Sequence, residues 1–505
     1  MTKTTNGAVQ STFEKSRYYW PVVEAFLKEN HVTKHHVDSY NEFVNKKVHK
    51  IIEEFNEIEV SKEGMSIKFH KIRLESPKAV EADGSAREIT PTECRLRKRT
   101  YAARMFVEMS LLDDGVEKDR DTIYIGDLPV MVRSDLCYLK DMTPDELVKA
   151  KEDSNELGGY FIINGSEKVL VSVEDLAPNR LIVSKEEKGG KNVVAGRIFS
   201  VKGGFRAKAM LERSKEGLMY LTFPTSAKNL NVFIVMKALG LDNKEKMLEV
   251  FSNRAEIIND VLLNLESTEV ETRTDALDYI GKRIAAGQPE TYRKKRAGQI
   301  LDNYLLPHIG ITENERLKKA YYLAKMAERC IEVSYGKRAE DDKDHYSNKR
   351  LKSAGDIVEE LFRYAISYFI KDIKYQIERA YTRGRKLQLK TLVRPDAVTD
   401  HIRFTMATGT FGGRTGLSQL LDRLNYMSAN SHLRRVISPL SKTQPHFEAR
   451  DLHPTHWGKI CPNETPEGQS CGLVKNLSIG TVISTRETTE LDKSLAELGV
   501  ELIKK

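Results

Sequence analysis

The stretch from Leu417 to Asn476 constrains this chain most, because most of it carries no repeating apolar pattern. A segment of that length serving as ordinary core shows a period near 3.6 or 2.0. Only the first third does so, Leu417-Ser-Gln-Leu-Leu-Asp-Arg-Leu-Asn-Tyr-Met-Ser-Ala-Asn-Ser-His-Leu-Arg-Arg435. A polar loop follows, then Arg450-Asp-Leu-His-Pro-Thr-His-Trp-Gly458 and Cys461-Pro-Asn-Glu-Thr-Pro-Glu-Gly-Gln-Ser-Cys-Gly-Leu-Val-Lys-Asn476. Trp457 and the Cys471–Val474 run imply a partly buried loop, and buried charges need partners. Gln419, Asn425, Asn430, His432, Arg434 and Arg435 suit phosphates or base edges. Glu464 and Glu467, set between prolines, suit the orienting of arginines or hydroxyls. Chemistry alone narrows this to binding a polyanion or nucleotide.

The rest of the chain is more regular. From Phe13 to Phe55 the pattern is helical, with one stripe of Val22, Val23, Phe26 and Leu27 and a second of Val37, Tyr40, Val44, Val48, Ile51 and Phe55. Residues 58 to 136 read as strands. Tyr101, Ala103, Met105, Val107 and Met109 alternate with Ala102, Arg104, Phe106 and Glu108, punctuated upstream by Pro77, Asp83-Gly84 and Thr90-Pro91. Asn164-Gly165 between two apolar runs predicts a hairpin, since that dipeptide tolerates positive φ at both turn positions. A second unit begins after Pro178, with strands at 181–184, 192–201 and 219–224 separated by Lys188-Gly-Gly190 and Lys202-Gly-Gly204. Helices follow at 231–239 and 313–335, the latter with Leu317, Ala320, Tyr321, Ala324, Ala327, Cys330 and Ile331 on one face. A polar connection at 341–350 precedes a helix from about Ser353 to Thr382 that stops at Gly384. The fold class is α+β, with two strand-bearing units and a loop-rich C-terminal third.

Length fits about three domains. No run of 18 apolar residues spans a membrane, and the N-terminus lacks a signal-peptide pattern. Five scattered cysteines fit a reducing compartment, so an intracellular, cytoplasmic protein is expected. A net charge of +8 decides little by itself. The clusters Arg95–Arg99, Arg293–Arg296, Arg383–Lys386 and Arg434-Arg435 are more telling, because each cation set against a phosphate releases counterions; for Arg293–Arg296 a solvated face is the preferred reading.

Three motifs are weighed and set aside. His453, His456, Cys461 and Cys471 are four potential zinc ligands, but the histidines are too close for the usual pair and enclose a proline, which favours loop hydrogen bonding over metal. Gly409-Thr-Phe-Gly-Gly-Arg-Thr-Gly416 fails as a P-loop, with Thr408 at the first glycine position and arginine for lysine. Two-metal chemistry needs clustered carboxylates, and Asp341, Asp342 and Asp344 sit among Lys343, Lys349 and Arg350, which favours a salt-bridge network.

The long motifs, taken together, resemble one family. Asp422–Arg435, His453–Gly458 and Cys461–Asn476 resemble the fork region of the second-largest subunit of multisubunit RNA polymerases. The likeness extends through Ile89–Arg97, Gly158–Lys168, Asp344–Arg350 and Ala407–Gly409 in the family's order. The chain ends where the family normally continues, so it is similar to the archaeal branch in which this subunit is split into two polypeptides, of which this is the N-terminal half.

The resemblance implies a protrusion at 1–172 and 343–404, a lobe at 173–342 and a fork at 405–505. It implies that Gln419, Asp422, His432, Arg434, Arg435, Glu467 and Ser470 lie near an RNA–DNA hybrid. Pro439–Ala449, with Lys442, Thr443, Gln444 and His446, would be the fork loop facing downstream DNA. No catalytic or metal-binding residue is expected in this chain, Mg2+ being held by the largest subunit and Zn2+ by partner subunits. Expected partners are the other polymerase subunits, chiefly the largest and the C-terminal half of the split one, with template DNA and nascent RNA. A serine that bacterial relatives use to bind rifamycins falls at Ile437, so that drug is not expected to bind. The competing expectation is a stand-alone nucleic-acid-binding or zinc-dependent processing protein built on His453, His456, Cys461 and Cys471.

Overall fold

The computed structural model describes residues 19–60, 64–80, 85–188, 190–226, 230–268, 270–484, 494–495 and 497–500. The start of the first helix at Phe13, the breaker Asp83-Gly84, the middle glycine of Lys188-Gly-Gly190 and the terminal Glu501–Lys505 lie outside them. The chain forms two compact units, Met1–Glu174 with Leu351–Lys505, and Asp175–Arg350.

In the first unit the main sheet is antiparallel, in the order Glu57–Glu59, Met65–Glu75, Ala102–Asp113, Val116–Pro129. The alternation read from the sequence decides which side is core: Ala103, Met105, Val107 and Met109 are buried, while Ala102, Arg104, Phe106 and Glu108 are half-buried. One apolar core joins this sheet to the helical run 34–54, the long helix Ala354–Thr382 and the helix Asp396–Thr408. The second predicted stripe supplies Val37, Tyr40, Val44, Val48 and Ile51, all buried. A π-helical turn at Phe43–Lys47 interrupts that run. The first stripe does not behave as predicted. Residues 19–29 are helical, but Val22 and Val23 are 68% and 39% exposed, because nothing in the described chain covers them.

The long helix starts at Ser353, whose capping box with Asp356 satisfies the first backbone N–H groups, and Gly384 follows its end with φ +61°. It approaches Lys34–Glu42 closely: a Cβ on Gly355 would stand 2.0 Å from the Ser39 carbonyl oxygen. The Gly355 N–H donates to Ser39 Oγ at 3.1 Å. The predicted hairpin is present, pairing Phe161–Ile163 with Ser166–Leu170 around Asn164 (φ +50°) and Gly165 (φ +79°).

The second unit is a five-stranded antiparallel sheet in chain order, Ile182–Lys188, Lys191–Lys202, Phe205–Arg213, Met219–Thr222 and Leu230–Asn231, sharing a core with helices. The strand Phe205–Arg213 and the helices Lys244–Glu249, Ala255–Glu266, Arg273–Ile284 and Glu290–Asn303 go beyond the sequence reading. The helix Arg316–Ser334 is also rotated from the predicted face. Ala320, Ala324, Ala327, Cys330 and Ile331 are buried, whereas Leu317 and Tyr321 are 41% and 45% exposed. Lys319 occupies an inward position instead, its Nζ donating to the carbonyls of Leu301 (2.9 Å) and Asp302 (2.7 Å) at the end of the preceding helix. Burial pushes the Cys330 thiol up to about 12, which makes it a packing residue. Arg293 lies within a helix and pairs with Asp278 at 2.9 Å. Asp344 pairs with Lys349 and Asp341 with Arg338, both at 3.2 Å. Among the described residues no helix is long and apolar enough to cross a membrane.

Candidate nucleic-acid interface

The irregular C-terminal segment is held by the hairpin. Ser418–Leu420 adds to its edge, antiparallel to Ser166–Leu170, with Gln419 opposite Val169. Further on, Arg435–Ile437 runs parallel to the chain just after the hairpin, Val436 against Ser172 and Ile437 against Val173. Val474–Asn476 pairs antiparallel with Arg435–Ile437 on its other side. Strand alternation therefore buries Val436 and turns Arg435 and Ile437 toward a groove. The groove encloses about 1060 Å³, and Arg414, Gln419, Arg435, Lys442, Glu467 and Ser470 are among the residues lining it.

The proposed contact residues separate by environment. Arg435 is half-buried on the groove wall, and its side chain makes no hydrogen bond or ion pair with any described residue. Arg434, its neighbour, leans the other way: Nη1 donates to the Val32 carbonyl (3.2 Å) and Nη2 to the Ser478 carbonyl (2.5 Å). It does not line the groove. Burial lowers the pKa of its guanidinium.

His432 and Asp422 also stand outside the groove lining. The Asp422 N–H donates to His432 Nδ1 at 3.1 Å, so the proton of the neutral ring sits on Nε2 and is donated to Gln419 Oε1, also at 3.1 Å. Burial holds this histidine at about 4, neutral at physiological pH. His432 thereby fixes Gln419, whose Nε2 donates to the Gly416 carbonyl at 2.9 Å. The Asp422 carboxylate accepts from Leu424 N (3.0 Å) and Ser428 Oγ (3.3 Å), bracing the start of the helix Tyr426–Leu433. Asn425 caps that helix, accepting from Ser428 N at 2.8 Å.

Lys442, Thr443 and Gln444 lie exposed at the loop, and His446 takes φ +40°. The loop's shape is set by a residue the sequence reading did not single out. Arg450 gives all five of its donors to carbonyls: Nε to Pro445 (2.6 Å), Nη1 to Gln469 and Cys471 (both 2.8 Å), Nη2 to Lys442 and Gln444 (both 3.1 Å). One guanidinium thus fastens the 442–446 loop to the proline-flanked acidic turn that carries Glu467 and Ser470. Gly472 lets the two backbones meet, because a Cβ there would lie 2.3 Å from the Arg450 carbonyl oxygen. The available signal was an arginine close after the loop and a glycine close after the turn.

Two other expectations need correction. Trp457 does not mark a buried loop: it is 89% exposed, and Leu473 alone of the Cys471–Val474 side chains is fully buried. Arg95 of the basic run Arg95–Arg99 is no free cation. It bonds Glu167 (2.8 Å), Glu152 (2.7 Å) and the Tyr160 hydroxyl (2.6 Å), beside Arg423, which bonds Glu167 at 2.8 Å. That network ties the 422–425 turn to the hairpin. A second buried pair, Lys475 with Glu174 at 2.8 Å, anchors the strand Val474–Asn476. His453 accepts the Thr455 N–H at 3.2 Å. Among the described residues no three His, Cys, Asp or Glu side chains converge as a metal site.

Residues 31–400 match the family model described as RNA polymerase beta subunit, and 419–483 match that of RNA polymerase Rpb2, domain 3. DNA-directed RNA polymerase subunit Rpo2N of Methanococcus vannielii is 46% identical over 95% of this chain and 98% of its own length. The same-named subunit of Halobacterium salinarum is 42% identical over 95% of each. Subunit Rpo2 of Saccharolobus shibatae is 46% identical over 95% of this chain, which there spans only 43% of the relative. The chain belongs to the family of the second-largest subunit of DNA-directed RNA polymerases.

Proposed function

We propose that the groove forms one wall of the channel that holds the RNA–DNA hybrid, and that residues 439–449 form the fork loop facing downstream DNA. Arg435 carries the reading. A half-buried guanidinium with no described partner, on the wall of a groove in a polymerase subunit, is a phosphate contact waiting for its phosphate. Gln419, positioned by His432, and Ser470 offer polar contacts beside it, while Arg434 and Asp422 hold the wall in shape. Preorganised charge and a stiff loop at the rim fit positioning and strand separation. The carboxylates of Asp341 and Asp344 are engaged by arginine and lysine and do not fit a magnesium pair. Magnesium chemistry is accordingly assigned to the largest subunit, and zinc to partner subunits. The same reading names 1–172 with 343–404 the protrusion, 173–342 the lobe and 405–505 the fork. It takes the C-terminal half of the split subunit and the largest subunit as neighbours, template DNA and nascent RNA as ligands, and the cytoplasm as the place of work.

The test is the lifetime of a reconstituted elongation complex across a salt series. Arg435→Ala should shorten it and flatten the dependence on log salt by about one unit. Arg434→Ala should lower the melting temperature and leave that slope alone. Equal slopes for wild type and Arg435→Ala would remove Arg435 from the nucleic-acid path.

A further inference from the structure

The long helix Ala354–Thr382 has a second face that neither the core nor the groove uses. Its buried side is aliphatic and aromatic, Ile357, Leu361, Ala365, Phe369, Ile373 and Ile377 among it. On the opposite side Tyr364, Tyr368, Lys371, Tyr375 and Arg379 recur at steps of four, three, four and four, a single stripe of the helix. The three tyrosines are 50%, 48% and 57% exposed. The stripe runs about 27 Å from Tyr364 to Thr382 at 1.5 Å per residue. It then meets Arg383-Gly-Arg-Lys386, one of the basic runs the groove leaves unused.

Two observations identify what this face takes. First, Lys371, Arg379, Arg383, Arg385 and Lys386 are all exposed and form no ion pair or side-chain hydrogen bond with any described residue. In the other basic runs the leading arginine is engaged, Arg95 and Arg293 in ion pairs and Arg434 on carbonyls. Of the two acids flanking the stripe, Asp372 is paired with Arg394 at 3.5 Å and Glu378 is exposed. Second, the aromatic surface continues onto the neighbouring helix Asp396–Thr408. His401 lies 4.3 Å from Tyr368, centroid to centroid, and Phe404, one turn on, is 67% exposed. A duplex offers phosphates and no free base faces, so exposed rings gain nothing from it. A docking helix would look for aliphatic residues at the repeating positions, and the stripe has none. Rings alternating with unpaired cations suit bases that stack while their backbone phosphates meet lysine and arginine.

We infer that the Tyr364–Arg379 face, with the Arg383–Lys386 run at its end, binds single-stranded nucleic acid outside the groove. In a polymerase the two sources of that chemistry are the nascent transcript and an unpaired DNA strand. The inference does not depend on the groove's role and involves none of its residues.

The experiment uses the assembled polymerase with a photoreactive phenylalanine analogue at Tyr375, transcription complexes with either RNA or one DNA strand labelled, and binding of U20 and dT20 across a salt series. A label transferred from Tyr375 to RNA or to single-stranded DNA supports the inference, and the labelled strand names the source. Tyr375→Ala should weaken oligonucleotide binding about tenfold while Tyr375→Phe keeps it. Arg379→Ala with Arg383→Ala should lower the log–log salt slope by about 1.4. Transfer only to a polypeptide makes this a subunit interface and overturns the inference, as does a salt slope the double variant leaves unchanged. Arg435→Ala, which tests the groove, should leave transfer from Tyr375 intact.

Discussion

Three buried histidines, His35, His36 and His432, set how this molecule responds to acid, each with its pKa lowered mainly by burial. His432 and His36 are each held at about 4. His36 donates from Nε2 to the Leu433 carbonyl at 2.9 Å, one residue from His432, so both protect the same turn. In the unfolded chain each titrates near 6.5. Between those values the unfolded state binds more protons, so stability is complete above pH 6.5 and falls as pH drops toward 4. The loss should approach about 3 kcal/mol for each of His36 and His432 at the bottom of the window. Urea midpoints measured from pH 7.5 to 4.5 should decline, and His36→Gln should make the decline shallower. A flat profile across that range would show that none of these rings is buried neutral. The residue scale is also where the sequence misled most. Arg434 and Arg435 are adjacent and chemically identical, yet strand direction sends one to carbonyls and the other to the groove.

At the scale of the element, the 442–446 loop is a device of one side chain. Arg450 closes five bonds to carbonyls from Lys442 to Cys471. Lysine has three donors on a single nitrogen and cannot span that set. Arg450→Lys and Arg450→Ala should therefore both release the loop. Cleavage after Lys442 by a limiting amount of trypsin should speed at least several-fold, with a small change in melting temperature, since most of these carbonyls can turn to water. An unaltered cleavage rate would mean the loop is stiff for another reason. The neighbouring elements were more legible. The hairpin at Asn164-Gly165, the strand through Met105 and the cap and stop of the long helix all follow from local backbone preference. The helix Arg316–Ser334 was legible as a helix but not in its orientation, because a lysine inside and a leucine and tyrosine outside reverse the usual cue.

For the whole molecule, the unit Asp175–Arg350 has a core of its own and a sheet whose five strands are all internal to it. A fragment of those residues should fold alone, giving a single cooperative thermal transition and dispersed amide resonances. Collapse of the fragment into a state without fixed packing would show that its core needs the rest of the chain. The first unit has no such independence along the sequence. Its sheet comes from the first third of the chain, and its long helix and most of its groove from the last third, beyond the inserted second unit. This is why the C-terminal third read as loops: its short strands are completed by partners some 250 to 300 residues upstream.

The fold class, the hairpin, the alternating strand, the start and stop of the long helix and the family were legible in the chain, because each is written in local preference or in long ordered motifs. Tertiary structure alone decided which cations remain free. Arg95, Arg423 and Lys475 are spent on buried carboxylates, Arg434 and Arg450 on carbonyls, and Arg435 on nothing in the described chain. A charge's availability depends on what the fold brings within reach of it, and those neighbours are distant in sequence.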